Sequence, residues 1–201
     1  MKAVMISIRP EWCEKIASGK KTIEVRKTKP KLETPFKCYV YCSKARNEAL
    51  WRYQGEYFYD TQFPKERPNK ANGKVIGEFV CNFMHVFPWR QNEFPFQDSG
   101  EYIISSNELK ESCLTYSDFE NYGVDGMEFR TLYGWHISEL KIYDKPKNIS
   151  EFMKPCIHGD KDISCFLCDR SGYRQDMNID CFNYCYKPPQ SWCYVEENTD
   201  E

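Results

Sequence analysis

Apolar and polar residues alternate in short runs over residues 1–145, and each run is broken by a polar turn. The first run, "AVMISI" (3–8), predicts a strand. "PEWCEKIASG" (10–19) carries Trp12, Cys13, Ile16 and Ala17 at helical spacing, with Pro10 near its start and Gly19 as a stop. "TIEVRK" (22–27) and "FKCYVYCSK" (36–44) predict two more strands, the latter with Cys38, Val40 and Cys42 on one side. Residues 45–73 are polar and aromatic and end in the loop sequence "PKERPNKANG", so no element is predicted there. "KVIGEFVCNFMHVFPW" (74–89) reads as a long strand with a bulge at Gly77. "LTYSDFENYG" (114–123) is a short helix capped by Thr115 or Ser117 and stopped at Gly123. "YGWHISELKIYD" (133–144) is a final strand, ended by "KPKNIS". Short, mostly antiparallel strands with two short helices predict an α+β fold built on a small mixed β-barrel.

From Ser150 onward the composition changes. Aliphatic residues thin out and Cys, Asp, Tyr and Gly replace them, so this stretch cannot build an apolar core of its own. Two units are therefore expected: a barrel domain over 1–149 and a cysteine-rich extension over 150–201 packed on it. Cys156, His158, Cys165, Cys168, Cys181 and Cys185 follow one another at short spacing, with Cys193 further on. A C-x2-C pair such as Cys165/Cys168 grips one ion from a tight turn, and a second close pair completes a tetrahedron. The expectation is a structural zinc ion held by four of Cys156, Cys165, Cys168, Cys181 and Cys185, stapling a segment that lacks a core. The competing reading is a set of reduced, partly buried thiols.

Charge narrows the partners. The formal net charge is −2, so the whole molecule is not a basic nucleic-acid glue. Between Cys13 and Arg46, however, ten Lys or Arg face three Glu, a local excess that suits phosphate contacts or else forms a solvated face. No apolar run reaches the length of a membrane span, and the opening run is too short for a signal peptide. A cytoplasmic setting is expected, where clustered cysteines more often mean metal than disulfides.

The common hydrolase, metalloprotease and phosphate-loop motifs are absent. His85 and His136 are single histidines inside apolar strands and read as core or wall positions. Cys13 lies on the apolar face of its helix and reads as packing. The aromatics of "WRYQGEYFYD" (Trp51, Tyr53, Tyr57, Phe58, Tyr59) suit either base stacking or packing, and packing is the simpler reading.

The chemistry concentrates in "GKKTIEVRK" (19–27). Glu24 and Arg26 share one side of the predicted strand, whereas alternation turns Lys21 away from Glu24. Arg26 can grip a phosphate or carbonyl with its planar fork and orient Glu24, which can accept from an exocyclic amine. The plain alternative is a structural ion pair. If the pair stands in an open cleft, losing either member costs little stability.

Residues 7–26, "SIRPEWCEKIASGKKTIEVR", resemble the opening of the ASCH domain family, relatives of the activating-signal-cointegrator C-terminal domain. That family carries a strand, a helix and then G-x-K-x-x-E-x-R, which Gly19, Lys21, Glu24 and Arg26 match. The 133–144 strand and the tail "PPQSWCYVEE" (188–197) resemble bacterial and phage members. The resemblance implies a PUA-like barrel with a cleft beside the motif, and binding of RNA or other nucleic acid, or of a modified nucleotide, by Lys21, Glu24, Arg26 and Trp135. Some small bacterial relatives instead deacetylate N4-acetylcytidine with a lysine, a threonine and a glutamate. Lys21 keeps the lysine and would be catalytic with Glu24 in that alternative. Glu24, however, occupies the threonine position, which removes the hydroxyl nucleophile. Thr22 stands at another height, and the acid would be Asp118 or Glu120.

Overall fold

The computed structural model describes residues 3–91, 100–126, 128–154, 185 and 187–197. The elements in chain order are β1 (Ala3–Ile8), α1 (Pro10–Ala17), β2 (Ile23–Arg26), β3 (Phe36–Cys42), β4 (Ala49–Tyr53) and β5 (Glu56–Asp60). Then come β6 (Lys74–Phe87), β7 (Trp89–Gln91), β8 (Gly100–Tyr102), α2 (Ser106–Ser112), α3 (Tyr116–Gly123), β9 (Val124–Asp125) and β10 (Glu128–Phe129). The last are β11 (Leu132–Asn148), a 3-10 turn (Ile149–Glu151), β12 (Phe152–Met153) and β13 (Trp192–Glu197). The fold is mixed α+β, with a large mixed sheet and three helices among the described residues.

The sheet has seven strands in the order β12-β13-β1-β3-β6-β11-β2. Only β1 and β3 run parallel; each other neighbouring pair is antiparallel. The parallel pair is possible because α1 and β2 intervene in the chain and supply the crossover. Alternation along β3 divides its residues between two cores. Cys38, Val40 and Cys42 pack with Ile6, Ile8, Ile16, Phe79 and Trp135. Tyr39 and Tyr41 pack on the other side with Met5, Val75, Phe152 and Val195. A third cluster joins Ile23 and Val25 of β2 to Phe87, Tyr102, Phe119 and Leu132 under α2 and α3. At Gly77 the β3–β6 register slips, and a Cβ there would stand 2.5 Å from the Lys141 carbonyl oxygen. The bulge expected at this glycine therefore doubles as a place of close backbone approach.

Several elements differ from expectation. The stretch 45–73 contains the β4–β5 hairpin, turning through Gln54 and Gly55, both at positive φ (48° and 89°). Helix α2 had not been expected, although Ser105 and Glu108 form a reciprocal capping box at its start. The same device starts α3 with Thr115 and Asp118, so Thr115 is the cap rather than Ser117. The 133–144 strand is not the last. β13 runs antiparallel to β1, with Met5 opposite Cys193 and Ala3 opposite Val195, so residues 192–197 belong to the central sheet. Cys156, Cys165, Cys168 and Cys181 lie outside the described residues, whereas Cys185 is buried beside Phe152 and Val195.

Candidate nucleotide-binding cavity

Helix α1 starts with Pro10 at its first position, buries Pro10, Cys13 and Ile16, and ends at Ser18. Gly19 follows at φ +74°, a left-handed turn that glycine adopts without strain. The Lys21 amide then donates to the Lys15 carbonyl at 3.0 Å, which folds the chain back on the helix before β2 begins at Ile23. Lys21 thus lies in the turn and not on the strand. Alternation does not apply to it, and its side chain comes round to Glu24, contrary to the orientation expected from the sequence.

Lys21 Nζ is 3.5 Å from Glu24 Oε2, and Arg26 Nη2 is 3.0 Å from Glu24 Oε1. The three side chains are 2% (Lys21), 8% (Glu24) and 12% (Arg26) exposed, so the motif is a buried cation–carboxylate–cation trio with a net positive charge. Two backbone carbonyls complete it. Lys21 Nζ donates to Ser112 O at 2.5 Å, at the C-terminal end of α2, where helix carbonyls favour a cation. Arg26 Nη2 donates to Ser7 O at 2.5 Å on β1. Arg26 Nε is buried and has no hydrogen-bond partner among the described residues. Burial pulls the Lys21 ammonium below the usual lysine range, against the opposing pull of Glu24.

These residues line a cavity of about 400 Å³. Ser7, Ile8 and Arg9 supply one wall, Trp12 of α1 another, and Leu114, Asp118, Asn121 and Tyr122 close it from the α3 side. Lys21 Nζ also lies 5.0 Å from the Trp12 ring centroid. Asp118 reaches the wall while its carboxylate accepts from the Thr115 amide (2.8 Å) and hydroxyl (2.7 Å), bonds that hold its carboxyl below the ordinary range. Lys27 donates to Val124 O at 3.0 Å and lies 5.5 Å from the Tyr122 ring centroid, which puts part of the basic segment at the rim. Lys29 stands over Tyr133, and Lys31 is exposed.

The tail over 188–197 also reaches this site. Ser7, whose carbonyl holds Arg26, donates through its hydroxyl to Pro189 O (2.6 Å) and through its amide to Ser191 O (2.8 Å).

The structure brings Lys21, Glu24 and Arg26 together. It places Trp135 elsewhere: opposite Glu24 in the β2–β11 register, fully buried in the core against Phe36 and Trp192, and not among the lining residues. Thr22 and Glu120 do not line the cavity either, whereas Asp118 does. Sequence reading passed over Arg9, Asn121 and Tyr122 as site residues and treated Trp12 as packing. Trp12 was signalled only by its place on the helix that precedes the motif. His85 and His136 bond to Glu108 and Asn82, away from the cavity. Cys13 is buried, bonded to Ile8 O, and burial pushes its thiol well up, which makes it inert packing. Among the described residues no three His, Cys, Asp or Glu side chains form a metal-binding group. No helix among them is long and apolar enough to cross a membrane.

An edge strand and the turn before it thus bring a buried Lys–Glu–Arg trio to the wall of a cavity on a mixed sheet. The chain belongs to the ASCH domain family, whose model matches residues 6–138. A search of curated proteins finds no match. Among solved structures, the chain is similar to the ASCH protein of Zymomonas mobilis at 15% identity, covering 96% of this chain and 87% of that one, with a TM-score of 0.44. A tyrosine-to-phenylalanine mutant of the same protein matches at 15% identity over 98% and 93%, with a TM-score of 0.49. A serine-to-alanine mutant matches at 14% identity over 98% and 89%, with a TM-score of 0.48.

Proposed function

We propose that the cavity binds one nucleotide, natural or modified, within RNA. The observation that carries this reading is the Lys21–Glu24–Arg26 trio, two cations sharing one carboxylate on the wall of the cavity. A guanidinium and an ammonium on one cavity wall suit a carbonyl or phosphate oxygen. The trio's net positive charge suits such an acceptor, and Glu24 can take a hydrogen bond from an exocyclic amine. A volume of about 400 Å³ suits a nucleoside and lies within the usual range of small-ligand sites. Trp12 and Tyr122 add aromatic wall to the cavity. Membership of a family associated with nucleic-acid binding points the same way.

The alternative reading, an amidohydrolase acting on acylated cytidines, draws on Lys21. A buried lysine held below its usual range gives up its proton more readily than a free one, and Asp118 stands in the same cavity. It lacks the nucleophile, since Glu24 holds the threonine position and Thr22 is not on the wall.

For the cysteine-rich segment we propose a structural zinc ion on four of Cys156, Cys165, Cys168, Cys181 and Cys185, in a reducing cytoplasm. Thiolates supply the charge and soft donors that zinc prefers. Cys185 is buried and shares a thiol hydrogen bond with Cys193, which pushes the Cys185 thiol up and draws the Cys193 thiol down, so metal binding there would have to displace that proton.

The deciding experiment is binding of nucleosides, acetylcytidine included, and of short oligoribonucleotides to wild type and Arg26→Lys. Lysine keeps the charge and loses the fork. A loss of affinity of about tenfold or more is expected, the scale of one charge-assisted hydrogen bond. Unaltered binding would return Arg26 to a purely structural role. Steady release of acetate from acetylcytidine, abolished in Lys21→Ala, would establish the hydrolase instead.

A further inference from the structure

The β4–β5 hairpin lies next to the cavity and is not used by it. Helix α1, which brings Trp12 to the cavity wall, packs against both strands, and Arg9 of the cavity pairs with Glu48 just before β4 at 3.1 Å. Leu50 and Tyr57 turn inward to the core. The opposite face turns out, and it is aromatic. Trp51 stands directly across from Phe58, with ring centroids 5.2 Å apart, and Tyr53 adjoins Trp51 at 6.0 Å. Tyr53 is 55% and Phe58 38% exposed, and Phe63 in the following loop is 52% exposed. Inward packing of the hairpin does not require any of these rings. Single exposed apolar residues are ordinary on a surface, but a contiguous row across two paired strands is an interaction surface.

Charge identifies the occupant. The Arg67 guanidinium lies 5.0 Å from the Trp51 ring centroid and is steadied by Asp60. Residues 44–74 hold seven Lys or Arg against four Asp or Glu. Glu48 is paired with Arg9, Asp60 with Arg67 and Arg52 with Asp144, which leaves Lys44, Arg46, Lys65, Lys70 and Lys74 against Glu56 and Glu66 without ion pairs among the described residues. A row of π-faces beside unpaired cations suits unstacked bases on a phosphate backbone: every base has a face to stack, and every linkage carries a negative charge. An apolar protein segment would use the rings but not the cations.

We propose that the outward face of the β4–β5 hairpin, with Trp51, Tyr53 and Phe58 as the stacking rings and Arg67 as their cation, is a second contact site for single-stranded RNA. It takes bases flanking the nucleotide held in the cavity. This rests on the nucleotide reading of the cavity, and the test separates the two. Affinity for labelled homopolymeric oligoribonucleotides and for nucleoside monophosphates is measured in the full chain carrying Tyr53→Ala, Phe58→Ala or Arg26→Lys. Both alanine variants remove exposed rings, and thermal unfolding should match wild type.

Each ring lost should lower oligonucleotide affinity by about tenfold, the order of one aromatic–base stack, with an unchanged salt slope. Monophosphate binding should not move. Tyr53→Trp and Phe58→Tyr should keep wild-type affinity, whereas Tyr53→Leu, apolar without a π-face, should lose it. Unchanged oligonucleotide affinity in the alanine variants would overturn the platform and leave the face to a protein partner. Full affinity in Tyr53→Leu would overturn stacking as its mechanism. If the cavity reading alone fails, Arg26→Lys changes neither ligand while the hairpin variants still weaken the oligonucleotide.

Discussion

Replacing Glu24 by glutamine tests whether the trio is electrostatically buried. Glu24 is the anion between Lys21, at 3.5 Å, and Arg26, at 3.0 Å. At an effective dielectric near 20, a unit pair at about 4 Å attracts by about 4 kcal/mol, and Glu24 makes two such contacts. Much of that offsets the desolvation of the three charges. Stranding buried cations by removing their partner costs roughly 3–5 kcal/mol. At roughly 2–4 °C per kcal/mol for a chain of this size, Glu24→Gln should lower the unfolding midpoint by about 10 °C. The loss should depend on pH. Burial already holds Lys21 below its ordinary value of 10.5 in the folded protein. Between the folded and unfolded values the unfolded chain binds more protons, so stability rises with pH across that window. Without Glu24 the folded value falls further and the window widens downward. The gap between wild type and variant should therefore narrow by about 1.4 kcal/mol for each unit by which Lys21 drops, as pH rises from about 6 to about 10. Circular-dichroism melts over that range supply the measurement. The double variant Lys21→Met, Glu24→Gln should recover most of the loss, because it leaves only one buried cation. An unchanged midpoint, or a gap that stays constant with pH, would refute the reasoning and show that water in the cavity solvates the cations.

Three further outcomes are expected. Affinity for oligoribonucleotides should fall with salt at a log–log slope of roughly −0.7 per phosphate contacted, and reversing Lys27, Lys29 and Lys31 to Glu should flatten it; an unchanged slope would make those lysines a solvated face. Binding should weaken as pH rises through a range below that of ordinary lysines, where Lys21 discharges, and Lys21→Arg should remove the dependence in a titration of affinity against pH. Elemental analysis of protein purified without chelator should give about one zinc per chain, and chelation should expose the region after residue 150 to protease while the sheet stays folded; freely titratable thiols with no metal would refute zinc.

What the sequence made legible follows from how local each signal is. Helix α1 is written in adjacent residues, through its spacing, Pro10 and Gly19, and so is the motif that follows. Helix α2 has its capping box in the sequence but carries Leu109 as its sole aliphatic residue, so periodicity gave it no support. The β4–β5 hairpin hid its alternation because aromatic residues occupy both of its faces, Trp51 and Phe58 outside and Tyr57 inside. β13 takes its place by pairing with β1, a contact from the far end of the chain that no local pattern announces.

The site divides in the same way. Glu24 and Arg26 were legible because β2 is regular over both. Lys21 was misplaced by a period-two argument carried past the strand's first residue, Ile23, into a turn where it does not hold. The cavity itself is written nowhere locally, since Asp118, Asn121 and Tyr122 meet the motif only because Phe119 on the same helix packs on Phe87 and carries α3 onto the sheet. That packing also lets the proposed recognition role coexist with the ion pair. The β1 carbonyl and the end of α2 hold its cations, while residues of α3 line the cavity on which the trio stands.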